Sequence, residues 1–346
     1  MEIARESIFI SSLRSFCKVF FSVIGFVISI VLISIVYSLL VPPYANEPKT
    51  TVTLLPDLEG RQELTPLSSP VVLQIDISGV IGIPDILTAT TIESILMDSR
   101  TGLFQGDRVK AILLYLDTPG GTVTDADAIY QMLKNYKTKY NVPIYAFMNG
   151  ICASGGIYVA SAADKSFATT STIVGSIGVL YGPLFNFSEA MTKLGIQSMT
   201  ITKGLDKDAL SPFRPWTPEE AASMQKITDF LYKRFVTVAT QARPRLDKDK
   251  LINEYGANVF DCVDAEQKGY IDVANATYAE TVTELLQAAQ IDPAKPYQIA
   301  QLTIKPDFLK DLAHSSLWKG KVSHELNFSE IRNPRAHDPF SYLFIP

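Results

Sequence analysis

The apolar residues of this chain form nearly continuous runs that alternate with stretches of helical spacing. The runs at 109–116 and 144–148 have the pattern of strands buried on both faces, and a similar strand is predicted within 71–82. Apolar positions at helical spacing follow them, at 86–97, at 124–136 and after the glycine-rich turn near residue 154. Strands that alternate with helices at short spacing predict parallel strand–helix–strand units, and therefore an α/β fold.

The later part of the chain continues this pattern. Strands and turns are predicted over 166–181 and a short strand over 198–202. A helix is predicted from an N-cap at Thr217 to about Ala242, because Pro218 and Glu220 stand at the positions that favour a helix start. The stretch 259–273 is predicted as strand, helix, turn and strand, and 277–289 as a helix.

The stretch 19–41 contains no charged residue and is long enough to cross a bilayer as a helix. Arg5, Arg14 and Lys18 precede it, and the first charged residue after it is Glu47. The positive-inside rule therefore predicts that 1–18 lie in the cytoplasm and that the chain after 41 lies on the far side. A cleaved signal peptide is the alternative. Its apolar core is usually shorter, roughly 7–15 residues, so an uncleaved anchor is favoured.

Composition divides the remaining chain into three parts. The proline-containing stretch 42–69 is expected to be an extended linker, and 70–292 a folded domain. The pattern weakens over 293–346, which is expected to be an extension of unknown role. All three histidines lie in this last part: His314, His324 and His337.

Charge and cysteine content exclude several classes of function. The formal net charge of −5 argues against a nucleic-acid-binding surface. The three cysteines, Cys17, Cys152 and Cys262, are too few and too scattered for a disulfide framework. No CxxC or HExxH motif predicts a metal site, and no cofactor is expected.

Ser154 is the candidate nucleophile, because it lies at the predicted turn between the 144–148 strand and a glycine-rich helix start. A hydroxyl at such a turn is exposed beside free backbone N–H groups, as acyl transfer requires. The N–H groups of Gly121 and Gly155, at the ends of neighbouring strands, are candidates for a two-donor oxyanion hole. Two other interpretations stay open. Ser154 could act only as a helix N-cap, and Cys152 could be a thiol nucleophile, although a buried small residue is the commoner role of such a cysteine.

A serine nucleophile needs a base, and no histidine occurs before residue 314. Lysine is the alternative, provided that burial lowers its pKa from about 10.4 towards 7–8. Lys207 is the candidate, in a polar loop before the helix that starts near 217, and Lys203 is its nearest rival.

Several segments of the sequence resemble the S49 family of membrane-anchored Ser/Lys peptidases, of the signal peptide peptidase type. They are VVLQIDISGVIG (71–82), LDTPGGTVTDADAIY (116–130), MNGICASGGIYVASAADKSFATTSTIVGSIGV (148–179), KGLDKDALSPFRPWTPEE (203–220) and VFDCVDAEQKGYID (259–272). Each is weak alone, but the combination is specific.

The resemblance implies a fold, an activity and a location. The fold is the ClpP/crotonase-like spiral of ββα units, and the chain is expected to form a homo-oligomer in which the lysine can come from a neighbouring subunit. Ser154 matches the family's nucleophile, Lys207 its base, and Gly121 and Gly155 its oxyanion donors. The implied substrates are apolar peptides, such as signal-peptide remnants, at a bacterial cell membrane.

Three alternatives remain beside this interpretation. The first is a related S49 peptidase of the SohB or NfeD-associated kind, with the same dyad and other substrates. The second is a catalytically silent membrane scaffold with the same fold, against which the joint presence of Ser154 and Lys207 argues. The third is an acyl-thioester enzyme of the crotonase kind, which an exported domain makes implausible because coenzyme A is expected in the cytoplasm.

Overall fold

The computed structural model describes residues 8–40, 50–84, 86–304 and 340–343. Contacts divide the chain into two compact units, Met1–Pro48 and Lys49–Pro346, each of which is described by itself.

The first unit contains a single described element, the helix α1 (Ile8–Leu40). Its stretch Ser12–Ser34 is long and apolar enough to cross a membrane, and its described side chains are almost all exposed. The prediction of one apolar N-terminal helix is confirmed. The helix begins earlier than the predicted 19–41, so Arg14 and Lys18 lie on the helix rather than before it.

The second unit contains the following described strands and helices. The strands are β1 (Thr50–Leu55), β2 (Val71–Ser78), β3 (Val109–Thr118), β4 (Gly120–Thr122), β5 (Ile144–Ala153), β6 (Lys165–Ala168), β7 (Ile173–Gly175), β8 (Leu180–Tyr181), β9 (Val259–Asp261), β10 (Gln298–Ile304) and β11 (Phe340–Leu343). The helices are α2 (Ala89–Asp98), α3 (Val123–Tyr140), α4 (Gly155–Ala160), α5 (Ser188–Lys193), α6 (Ala222–Ala242), α7 (Lys248–Lys250), α8 (Cys262–Lys268) and α9 (Tyr278–Ala288).

The main sheet runs in the order β1-β10-β2-β3-β5-β7-β9, with β6 also paired to β5. Its centre, β10-β2-β3-β5, is parallel, and the two outermost pairs, β1 with β10 and β7 with β9, are antiparallel. The apolar runs of β2 and β3 lie at the middle because both of their faces are covered. One face packs on α2, α3, α4 and α6, and the other on α9. The predicted α/β class with repeated strand–helix units is confirmed.

A second, smaller sheet lies beside the ends of the central strands. It contains three strands in the order β4-β11-β8, with β11 antiparallel to both neighbours. β4 begins two residues after β3 ends. The small sheet therefore begins at the carboxyl edge of the main sheet, where sites in α/β folds are usually found.

Several boundaries differ from the sequence-based expectations. Thr50–Leu55 forms a strand that pairs along its whole length with β10, so the predicted extended linker over 42–69 is wrong in this stretch. β10 itself lies inside the main sheet, so 293–346 is not wholly an extension. The predicted strand at 198–202 has no ladder partner among the described residues.

The helix predicted to start at Thr217 starts at Ala222 instead. The Glu220 carboxylate does accept the Thr217 N–H at 2.8 Å, as a capping glutamate would. It also accepts the Leu210 N–H at 2.7 Å and the Arg214 guanidinium at 2.6 Å. These contacts hold residues 217–220 as turns that belong to the preceding loop.

Candidate active site

Ser154 lies at a sharp turn between β5 and α4. Its backbone has φ 52° and ψ −115°, and the helix begins at the next residue. Its N–H donates to the carbonyl of Gly175 at 2.8 Å, which holds the turn against β7. A non-glycine residue at such dihedral angles stores strain of about 1–3 kcal/mol. Strain of this kind at a strand-to-helix turn is typical of a residue held for chemistry.

The Ser154 hydroxyl makes no hydrogen bond to any described residue, and it does not cap the helix that it precedes. The interpretation of Ser154 as only an N-cap therefore receives no support from the geometry. The residue is 1% exposed in this structure, although its hydroxyl would have to be reached by a substrate.

Gly156 fits the first turn of α4 closely against the end of β3. A Cβ added there would lie 2.8 Å from Thr118 Cγ2. The Thr118 hydroxyl donates to the Gly79 carbonyl at 2.5 Å and accepts the Gly120 N–H at 3.1 Å. The Thr118 side chain therefore contacts two elements: its methyl group packs against α4, and its hydroxyl binds the start of β4.

Gly121 sits in the middle of β4 with its polar groups turned away from Ile81. The Ile81 N–H donates to Gly120 O at 2.8 Å, and the Thr122 N–H donates to Ile81 O at 3.0 Å. Because neighbouring residues of a strand present their N–H groups to opposite sides, the Gly121 N–H faces the side of β11. A Cβ on Gly121 would meet the Ile81 carbonyl oxygen at 1.9 Å, so only glycine fits.

Gly155 is the first residue of α4, where backbone N–H groups have no partner within the helix. The first helical hydrogen bond runs from the Tyr158 N–H to Ser154 O, at 3.1 Å. Because α4 packs against β4, the structure brings Ser154, Gly155 and Gly121 into one region. The geometry suits the two-donor arrangement expected from the sequence.

The gap between β4 and β8 is bounded by backbone on both sides, and we call it the strand slot. β11 fills it, with Tyr342 opposite Gly121 and Ser341 opposite both Thr122 and Leu180. β11 also lies against α3 and α4. The slot therefore holds an extended segment directly beside the nucleophile helix.

The Lys207 side chain makes no contact with Ser154 by hydrogen bond within the described part of the chain. No hydrogen bond or ion pair connects its side chain to any described residue, and it is exposed, as Lys203 is. Its loop begins with a hydrogen bond from the Lys207 N–H to Gly204 O at 3.4 Å. The two residues of the predicted dyad therefore both lack a side-chain partner within the described part of the chain.

The Lys207 loop is nevertheless well ordered by a charged network that sequence reasoning missed. Arg214 pairs with Asp208 at 2.8 Å and with Glu220 at 2.6 Å. Hydrogen bonds from Arg214, and then from the Thr217 and Leu210 N–H groups, lower the pKa of Glu220 to about 2. The Arg214 hydrogen bond also lowers the pKa of Asp208. These contacts stabilise the loop, while the Lys207 side chain makes no bond to any described residue.

Arg243 is a second residue that the sequence did not indicate. It is buried at the far end of α4, where its guanidinium donates to Ala163 O at 3.1 Å and to Ala160 O at 3.3 Å. It also donates to Ser166 Oγ at 3.1 Å, and its Nε lies 3.4 Å from Asp272. A cation beside the last carbonyls of a helix stabilises that end, so Arg243 fixes the helix that carries Ser154.

Cys152 does not compete as a nucleophile. Its side chain is fully buried, and burial raises the pKa of the thiol well above its ordinary value. A thiol that stays protonated is a poor nucleophile. Among the described residues, no cluster of His, Cys, Asp and Glu could hold a metal ion. The three histidines, His314, His324 and His337, lie outside the described residues.

Comparison with known proteins finds similarity to a family of peptidases in the part of the chain that contains Ser154. The family model of peptidase family S49 matches residues 136–292, which include Ser154, Gly155 and Lys207. The resemblance predicted from the sequence motifs is therefore confirmed for this stretch.

The relatives cover only part of the chain. A protein named signal peptide peptidase SppA in Enterococcus faecium is 34% identical over 164 residues, which are 47% of each chain. A protein of Methanocaldococcus jannaschii named as a protease is 32% identical over 189 residues, 55% of this chain and 59% of the other. The chain thus spans about half the length of these two relatives. A ClpP1 variant from Listeria monocytogenes aligns with 61% of this chain and 94% of its own at 16% identity, with a TM-score of 0.39.

Proposed function

We propose that this chain is a membrane-anchored serine endopeptidase in which Ser154 is the nucleophile and Lys207 the general base. One observation carries the proposal. Ser154 stands at a strained strand-to-helix turn, and its hydroxyl bonds to none of the described residues; Gly155, the first residue of α4, follows directly. The hydroxyl oxygen of an N-cap serine would accept a hydrogen bond from a helix N–H, whereas an acyl-transfer nucleophile has to keep its oxygen available.

Lys207 is proposed to reach the Ser154 of a second copy of this chain. Both side chains lack a partner within the described residues, so each site is incomplete by itself. The segment before Lys207 exposes Met199 at 87%, Ile201 at 89% and Leu205 at 94%. Such apolar exposure favours burial against a partner surface. A second copy that covers this segment would also strip water from Lys207, as a base acting near neutral pH requires.

The proposed reaction is acyl transfer through Ser154. Neutral Lys207 takes the Ser154 proton while Oγ bonds to the carbonyl carbon of the peptide, and the carbonyl electron pair moves to the oxygen. The N–H groups of Gly121 and Gly155 stabilise that oxyanion. Lys207 returns the proton to the amide nitrogen as the C–N bond breaks, which leaves an ester on Ser154. Water, deprotonated by Lys207, hydrolyses the ester and restores the serine.

The proposed substrates are extended apolar peptides, such as signal-peptide remnants. The strand slot supports this class, because its walls offer backbone groups to any segment in extended conformation. The apolar helix α1 supports a location at the membrane, where such peptides are released. With Arg14 and Lys18 near its start, α1 is proposed to leave the N-terminus in the cytoplasm and the catalytic unit on the far side of a bacterial cell membrane. A reporter fused after residue 346 tests this orientation, and cytoplasmic reporter activity contradicts it.

The deciding experiment measures hydrolysis of quenched fluorescent apolar peptides by the detergent-purified full chain. Ser154→Ala and Lys207→Met should abolish cleavage, and Lys203→Met, the matched control, should retain it. Mixed Ser154→Ala and Lys207→Met chains should recover up to about a quarter of the parent activity if sites are shared between neighbours in a symmetric oligomer. An active Lys207→Met variant contradicts the assigned base. A well-assembled parent that cleaves no peptide would favour the scaffold interpretation.

A further inference from the structure

The helix that carries the candidate nucleophile contains one polar side chain, that of Tyr158. α4 has six residues, and the other five are glycine, alanine, valine or isoleucine. A helix this short is not stable by itself, so contacts outside it have to set its direction. Apolar contacts are non-directional, whereas a hydrogen bond requires a defined geometry. The Tyr158 hydroxyl is therefore the side-chain group of α4 that is suited to fix its orientation.

This hydroxyl is bound to a carboxylate of a neighbouring helix. Tyr158 is fully buried, and its hydroxyl donates to Asp127 Oδ1 of α3 at 2.6 Å. The Tyr158 N–H donates to Ser154 O at 3.1 Å, so Tyr158 connects the nucleophile turn to Asp127. Hydrogen bonds to a carboxylate are roughly twice as strong as those between neutral groups, so this contact restrains α4 firmly.

The same carboxylate oxygen also accepts hydrogen bonds from α6. Arg234 donates to Asp127 Oδ1 from Nη2 at 2.8 Å and from Nε at 3.1 Å. The ring of the next residue, Phe235, packs on the ring of Tyr158, with 5.1 Å between the two centroids. Donors from two helices thus converge on a single oxygen of a third helix.

Each of these three helices is joined along the chain to one part of the candidate site. α3 begins two residues after Gly121, and α4 begins directly after Ser154. α6 follows the loop that carries Lys207. Asp127 therefore connects the elements that carry the proposed oxyanion donor, nucleophile and base.

We infer that Asp127 is a positioning residue, which fixes the nucleophile helix relative to the oxyanion strand and the Lys207 loop through one carboxylate oxygen. In this role Asp127 contacts no substrate and acts through Tyr158 and Arg234. The inference rests on the proposed peptidase function, because the position of Ser154 affects a rate only if Ser154 reacts.

Removal of the carboxylate tests the inference in the full chain. Asp127→Ala should lower the kcat for a quenched fluorescent peptide by about ten- to a hundred-fold, because a misplacement of about 1 Å can cost about 10² in rate. The KM should change by less than about two-fold, since no contact with the peptide is lost. Asp127→Asn keeps an oxygen acceptor without the charge, and should lose less kcat than Asp127→Ala.

Glu284→Ala is the matched control. Glu284 of α9 pairs with Lys165 of β6, and these two side chains are partly exposed to a similar extent as Asp127 and Arg234. Neither α9 nor β6 is joined to a part of the candidate site. Urea unfolding measures the stability that each variant loses, and Glu284→Ala should keep the parent kcat. Equal falls in kcat would mean that lost stability, rather than lost position, explains the effect of Asp127→Ala.

A double-mutant cycle tests whether Tyr158 and Arg234 act through the shared oxygen. Tyr158→Phe and Arg234→Gln should each lower kcat in the parent, and should change it by less than about two-fold in the Asp127→Ala background. Full multiplication of the effects in that background contradicts the shared oxygen. Tyr158→Phe removes one oxygen and keeps the packed ring, so it decides the matter even if Asp127→Ala does not fold.

Two further results separate this inference from the proposed function. If the parent is active and the Asp127 variants keep its kcat, or raise only the KM, the positioning role alone is overturned. If the folded and assembled parent cleaves no peptide, the proposed function is overturned, and the positioning role with it.

Discussion

Replacing Gly156 by alanine tests how closely the nucleophile helix is fitted to the end of β3. The new Cβ would lie 2.8 Å from Thr118 Cγ2 and 3.3 Å from Cys152 Sγ. Thr118 cannot rotate away at little cost, because its hydroxyl is bonded to the Gly79 carbonyl and the Gly120 N–H. Overpacking of this kind costs about 1–3 kcal/mol, against a gain of up to about 1 kcal/mol from the better helix former. We expect Gly156→Ala to destabilise the fold by about 0–2 kcal/mol.

A second substitution isolates the contact. Thr118→Ser removes the methyl group in question and keeps the hydroxyl, so alone it should cost about 1 kcal/mol for the small cavity that it leaves. In the double variant the alanine methyl group occupies that space. The pair should therefore be about as stable as the parent, with a coupling free energy of about 1–3 kcal/mol in favour of the double variant.

Urea unfolding of the full chain in detergent, followed by circular dichroism, provides the four midpoints of this cycle. Because the slope of the transition reports on the surface exposed, the comparison requires equal slopes in all four proteins. If the two single effects simply add, the Thr118 methyl group is not what confines Gly156. If Gly156→Ala alone matches the parent, the fit between α4 and β3 is looser than the distances imply.

Three further outcomes follow from single residues. Arg243→Lys keeps a charge but cannot bond all of the same oxygens, so it should lose about 1–3 kcal/mol in urea unfolding, and Arg243→Ala about 3–5 kcal/mol. Glu220 has its pKa lowered to about 2 from an unfolded value of about 4.3, so the order it gives the Lys207 loop is complete above about pH 4.3 and is lost as the pH falls towards 2. Limited pepsin digestion of this loop, measured relative to an unfolded substrate at the same pH, should therefore increase over that interval in the parent. The increase should be smaller in Glu220→Gln, where only Asp208 still loses its pairing with Arg214. Cys152 should resist iodoacetamide in the folded chain and react after unfolding, and labelling of the native protein would contradict its burial.

The central strands were predictable because their environment is uniform. β2 and β3 are covered on both faces, so most of their positions are apolar, and the continuous run Ala111–Leu116 of β3 identifies that strand. β10 was missed, although it lies between β1 and β2, because it carries polar side chains that find partners in the fold. Gln298 donates to Glu63 O at 2.9 Å, and Gln301 donates to Asp76 at 2.6 Å. The spacing of apolar residues gives no information about such side-chain pairs between distant parts of the chain.

For the candidate site, the nucleophile turn was predictable from the sequence and the position of the base was not. The turn at Ser154 follows from a strand end and a run of small residues, which are local features. The position of the base does not follow from the local sequence. The spacing of Lys207 from Ser154 along the sequence does not say whether the lysine meets the serine of its own chain or that of another. The misplaced start of α6 has the same origin, because Glu220 is held by Arg214 and by the Leu210 N–H, outside the helix that its sequence position favours.

The strained turn at Ser154 has a consequence for the way this sequence can change over generations. At φ 52° and ψ −115° a glycine would be relaxed, so the serine is kept there against a stability gain of about 1–3 kcal/mol. A lineage that stopped using the hydroxyl would improve its fold by the simplest substitution available, Ser154→Gly. The residue found at this one position in a descendant therefore records whether selection for catalysis continued, independently of how far the rest of the chain has diverged.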